Sequence, residues 1–191
     1  MAVTVANLVQ GPATLYIGAF GATEPAGADV ASTPASGAWT DLGGTVDGAE
    51  LVIKQEYKEL EVDQVVDIPG RRLVKRDMTV KTKLAEPTFE NLVFALNDGT
   101  TATGTGYKDF TPAFTDSATQ PTYRALILHG WAAADAGTGQ SKRRMVILRR
   151  CLSSDDVEMS YTKDKQTLLT VTWSVHYVDN TTAPFKIVDE D

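Results

Sequence analysis

The amino-acid sequence predicts a mainly β, antiparallel fold of one domain with a single flanking α-helix at about residues 87–97. Three patterns carry that expectation. Leu169, Val171, Trp173, Val175 and Tyr177 alternate with Thr170, Thr172, Ser174 and His176, the period of two expected of a strand with one covered face. In residues 71–84, Val74, Met78, Val80 and Leu84 share one parity against Leu73, Lys75, Asp77, Thr79, Lys81 and Lys83. Only residues 87–97 carry a helical stripe, Phe89, Leu92, Val93 and Leu96, opened by Pro87 and closed by Asn97 and Gly99, a proline start and glycine end that suit helix termini. A chain of 191 residues is ample for one domain with a sizeable core.

Taken in order, residues 1–11 form an N-terminal arm and residues 12–20 a first strand bounded by Pro and Gly. Residues 21–37 are almost entirely Gly, Ala, Ser, Thr, Pro and acid, which reads as a long surface loop unable to fill a core. Gly43-Gly44 and Asp47-Gly48 are turn signals after which a strand restarts. Leu51 and Ile53 lie on one parity and Leu60 and Val62 on the other. A bulge, bend or turn near residues 55–57 is therefore expected, because a one-residue slip exchanges the faces of a strand. Residues 98–122 read as a Thr- and Gly-rich connection anchored by Phe110 and Phe114. Strands are expected at 123–131, 142–152, 157–161 and 168–178, and a C-terminal arm at 179–191.

Composition excludes several classes. Hydrophobic residues are 42% and charged residues 23% of the chain, neither disordered nor membrane-like. The first residues have no basic, apolar leader and no apolar run approaches a membrane span, so synthesis in a cytoplasm and no membrane partner are expected. The lone Cys151 has no thiol partner and reads as a small buried apolar residue. His129 and His176 lie inside expected strands with no ligand-spaced neighbour. They read as satisfied structural groups, and no metal, cofactor or catalytic residue is expected. Gly104-Thr105-Gly106 lacks the Gly-Lys-Ser/Thr ending of a phosphate loop.

Two charge clusters remain. Glu50, Glu56, Glu59, Glu61 and Asp63 make either a polar hairpin or a surface facing DNA or a neighbouring subunit. Lys142, Arg143, Arg144, Arg149 and Arg150 form the one basic concentration. Alternation splits the arginines between two faces without stacking aromatics, which favours salt bridges over nucleic-acid binding. The formal charge of −7 agrees, since gripping phosphates needs clustered cations. A β-sandwich carbohydrate-binding or adhesion module, with exposed Trp39 and Trp131 as stacking platforms, is a rival reading. A hydrolase with acids in a cleft is another.

The run Leu42-Gly43-Gly44-Thr45-Val46-Asp47-Gly48, then Val62-Asp63-Gln64 before Ile68-Pro69-Gly70, then Leu84-Ala85-Glu86 ahead of the helix, resembles the tail tube (major tail) proteins of long-tailed bacteriophages. The resemblance implies a β-sandwich or barrel-like subunit with one flanking helix, assembled as hexameric rings stacked into a hollow tube that passes double-stranded DNA. Its partners would be further copies of itself and the tape measure, terminator and distal tail proteins, within a virion assembled in the host cytoplasm. Residues 55–72 would reach the next ring, with Gln55, Glu59, Glu61, Asp63, Arg71 and Arg72 as contact residues and the two termini as arms. A ring also removes open sheet edges by pairing each with its neighbour's.

Overall fold

The computed structural model describes residues 3–113, 120–133 and 142–191. Aliphatic and β-branched runs make the centre of the main sheet: β1 (Thr14–Ala19), β7 (Arg124–Ala132), β8 (Lys142–Ser153) and β10 (Leu169–Val175). With β2 (Trp39–Asp41), β3 (Thr45–Leu60) and β4 (Gly70–Leu84), the order is β2-β1-β7-β8-β10-β4-β3, and every pairing is antiparallel. Among the described residues the fold is mainly β with one α-helix, α1 (Phe89–Ala95), as the patterns predict. A separate two-stranded sheet, β5 (Gly99–Gly104) with β6 (Tyr107–Pro112), occupies the expected connection. Phe110 anchors it, its ring 6.3 Å from that of Phe89; Phe114 lies outside the described residues.

β8 organises the molecule because one of its edges serves two strands. Cys151–Ser153 pair with β10, whereas Arg144–Leu148 pair with β11 (Phe185–Asp189). The expected C-terminal arm at 179–191 is thus corrected: after an excursion pinned by Asp179, the chain returns as β11 to cover β8. Asp179 accepts from the backbone N–H groups of Thr181 and Thr182.

Parity builds two cores. Leu15, Ile17, Leu126, Leu128, Val146 and Leu148 join Val80, Leu84, Val171 and Trp173 in the larger one, with Leu92 and Phe94 of α1 against it, an arrangement consistent with a β-sandwich. Tyr16, Ala125, Ile127, Met145 and Ile147 point to the opposite face, where Trp39 and Val30 cover them. The 21–37 loop therefore does contribute to a core. Val30 and Pro34 are buried, and the loop is tied down by Trp39 Nε1 donating to the Thr23 carbonyl at 3.0 Å.

Other differences have local causes. In α1 the buried residues are Asn91 and Ala95, while Leu96 is exposed. Thr88 caps the helix by accepting from the Asn91 N–H, and the Asn91 side chain donates to the Leu42 and Glu86 carbonyls. The helix is thus fixed to the sheet partly by hydrogen bonds. The expected strand at 157–161 shrinks to β9 (Glu158–Met159), paired with β10. Asp47-Gly48 is a bulge inside β3, with both residues at positive φ, where glycine carries no side-chain penalty.

Candidate functional site

The feature that leaves the body is the β3–β4 hairpin. β10 ends at Val175 opposite Met78, and beyond Ile53 and Met78 the two strands continue to Leu60 and Gly70 as a ribbon paired only with each other. From Ile53 to Leu60 the ribbon runs about 23 Å at ~3.3 Å per residue. Nearly every residue of it is exposed, so Val74, expected on a buried face, lies in solvent. The expected irregularity near 55–57 is present as a register shift between Glu56 and Tyr57; the extra residue is Val74, so Val74 and Leu73 together oppose Tyr57.

The six residues expected to make contacts separate along this ribbon. Glu59 faces Arg71 across the strands, and Arg71 donates to Glu59 Oε1 from Nη2 at 2.7 Å and Nε at 3.2 Å. Gln55 Oε1 accepts from the Tyr57 hydroxyl at 2.8 Å. Arg72 is opposite Lys58 on the other face of the ribbon, a like-charge pair, which disfavours the isolated hairpin. Glu61 and Asp63 lie in the tip, residues 61–69, exposed. Further down, Lys75 Nζ meets Asp77 Oδ2 at 2.7 Å, and this contact holds the Lys75 ammonium above its ordinary pKa.

The tip is acidic and the shaft is mixed. Glu61, Asp63 and Asp67 lie at the tip with no basic residue, whereas Lys58, Arg71, Arg72, Lys75 and Arg76 share the shaft with Glu56, Glu59 and Asp77. Sequence reasoning missed the apolar content. Leu60, Val62, Val65, Val66 and Ile68 at the tip, and Tyr57, Leu73 and Val74 on the shaft, are all exposed. The available signal was Val65-Val66 set between acids with no room for a core strand around it.

Elsewhere the expected chemistry is quiet. Arg144 donates twice to Asp189 at 2.6 Å, and Arg149 pairs with Glu24, the salt bridges expected of the basic run. His129 Nε2 lies 2.9 Å from the Val30 carbonyl. His176 corrects the expectation of a satisfied group, because its buried Nε2 has no partner among the described residues. Burial pushes the Cys151 thiol up to about 12, far from a reactive thiolate. Trp39 is buried and Trp131 lies under the Arg143 guanidinium, 3.7 Å from its ring centroid, so Trp39 cannot serve as an exposed sugar platform. Among the described residues no cluster of His, Cys, Asp and Glu is placed to hold a metal ion, and no helix is long and apolar enough to cross a membrane.

The N-terminal residues Val3, Val5, Leu8 and Val9 are likewise exposed. Hairpin, N-terminal segment and the unpaired edge of β3 are thus surfaces open to other molecules among the described residues. No curated protein matches the chain significantly. A family model described as "Phage tail tube protein" matches residues 4–191, nearly the whole chain.

Proposed function

This chain belongs to the phage tail tube protein family, and from that premise we propose that its copies close into hexameric rings that stack into the hollow tube of a long, non-contractile tail. Family membership makes it a structural protein of the virion tail that assembles into a tube with other tail proteins. The finer reading is that the tube forms in the host cytoplasm, meets the tape measure, terminator and distal tail proteins, and passes double-stranded DNA without chemistry of its own. A formal charge of −7 suits a wall along which a polyanion slides.

The observation that carries this reading is the projecting β3–β4 ribbon. A solvent-exposed ribbon with Val62, Val65, Val66 and Ile68 at its tip is costly to an isolated subunit, and a neighbour that covers it removes the cost. In this reading Glu61 and Asp63 touch the next ring, Arg72 is relieved of Lys58 by a neighbour's acid, and the Gln55, Glu59 and Arg71 contacts stiffen the shaft.

The test is to replace residues 57–74 with Asn-Gly, joining Glu56 to its cross-strand partner Lys75 by a two-residue turn. The shortened protein should keep its thermal unfolding transition within a few degrees and yield no tubes by negative-stain microscopy. Full-length tubes, or a chain that no longer folds, would remove the hairpin from this role.

A further inference from the structure

Around Arg150 lies an aromatic and cationic cluster. Its guanidinium sits over the Tyr123 ring at 4.0 Å and over Phe20 at 5.6 Å, and Tyr123 meets His176 edge-on at 5.4 Å. Arg144 and Arg149 are satisfied by carboxylates. Arg150 is held instead by the Tyr177 carbonyl, to which Nη1 donates at 3.0 Å, and its buried Nε, like His176 Nε2, has no partner among the described residues. A cation over ring faces keeps its remaining in-plane donors free, and here Nη2 is the nitrogen with no partner among the described residues that an acid could reach. Beside the cluster, Phe20 borders a cleft of about 220 Å³ lined by Ala22, Trp39, Ala125, Ile147 and Val178, roomy enough for an aliphatic side chain.

We infer that the acidic, apolar tip of one copy's β3–β4 hairpin docks on this Arg150 cluster of a second copy, a carboxylate meeting Arg150 and a tip valine entering the cleft beside Phe20. The inference rests on the hairpin being an assembly element and names where it lands. Complementarity supports it: the tip offers Glu61, Asp63 and Asp67, none in an ion pair among the described residues, next to exposed Val62, Val65 and Val66.

Reach decides that the occupant is another copy. His176 follows Val175, which pairs with Met78 at the root of the ribbon, and the tip begins about 23 Å further out at ~3.3 Å per residue. A tip-to-root contact joins two different surfaces and repeats in one direction, the heterologous geometry that stacking needs.

Two single-cysteine additions test this, Val66→Cys and Phe20→Cys, both at exposed positions, while the native Cys151 is fully buried. Mixed, assembled and mildly oxidised, they should give a disulfide-linked dimer containing one chain of each kind. The Arg150→Glu variant, checked for folding by circular dichroism, should need at least tenfold more protein to assemble, and Asp63→Lys in the same chain should recover most of that loss. Absence of the mixed dimer in tubes, together with normal assembly of Arg150→Glu, would overturn the docking site yet leave the hairpin's role standing if the Asn-Gly replacement still blocks tubes. Tubes formed by that replacement would overturn both.

Discussion

At the scale of single residues, burial decides which titrations couple to stability. His129 and His176 have their pKa values lowered, first by burial, and Arg150 lowers that of His176 further. The folded state therefore disfavours imidazolium, while the unfolded chain takes up the proton near the ordinary value of 6.5. Stability is complete above that value and is lost as pH falls through it toward the folded pKa values. Thermal unfolding between pH 7.5 and roughly 5 should show a declining Tm, and the decline should be shallower in His129→Gln, whose amide can still donate to the Val30 carbonyl. An equal slope in the variant would mean that His129 stays solvated. The split arginines were legible from strand alternation, and the burial of Cys151 from its having no thiol partner. The orphaned His176 Nε2 and the stacking of Arg150 were not, because each depends on which loop arrives from a distant part of the chain.

At the scale of elements, α1 tests how far a helical stripe can be read from spacing. Leu92 packs against the larger core, but it is only half-buried, so Leu92→Ala should cost about 1–3 kcal/mol, below the usual range for a fully buried leucine. Asn91→Ala should cost a similar amount, about 1–3 kcal/mol, because it strands the Leu42 carbonyl, which accepts at 3.1 Å inside the protein. Denaturant unfolding of the two variants checks both, and a neutral Asn91→Ala would assign the helix's attachment to apolar packing alone. Spacing found the helix and Leu92; it missed Asn91, because a buried amide looks like a surface residue until its acceptors are known. The bulge near Tyr57 was legible from the parity change. That the ribbon leaves the body there was not, since it depends on β10 ending at Val175, more than a hundred residues further along the chain. The C-terminal segment misled for the same reason. Phe185 to Asp189 lack a long pattern of their own and become a strand because β8 offers a free edge.

At the scale of the whole molecule, the sheet is closed by a three-residue strand at one end and left open along sixteen residues of β3 at the other. An open edge of that length, continuous with an exposed apolar ribbon, favours association. Opposing it is the formal charge of −7 on every copy, which repels neighbours over distances longer than any single contact. The balance depends on salt. The Debye length falls from about 30 Å at 0.01 M to about 6 Å at roughly 0.3 M, which removes most of the long-range repulsion between copies. Exposed ion pairs lose strength too, but each contributes only about 0–1 kcal/mol, whereas covered valine and isoleucine surface is insensitive to screening. Net repulsion should therefore be the larger loss, and sedimentation over a concentration series should show assemblies at lower protein concentration in roughly 0.3 M than in roughly 0.02 M salt. The opposite trend would mean that ion pairs, not apolar cover, hold the copies together. A chain that sediments as a monomer at every concentration and both salts, with no tubes under the microscope, would contradict self-assembly itself.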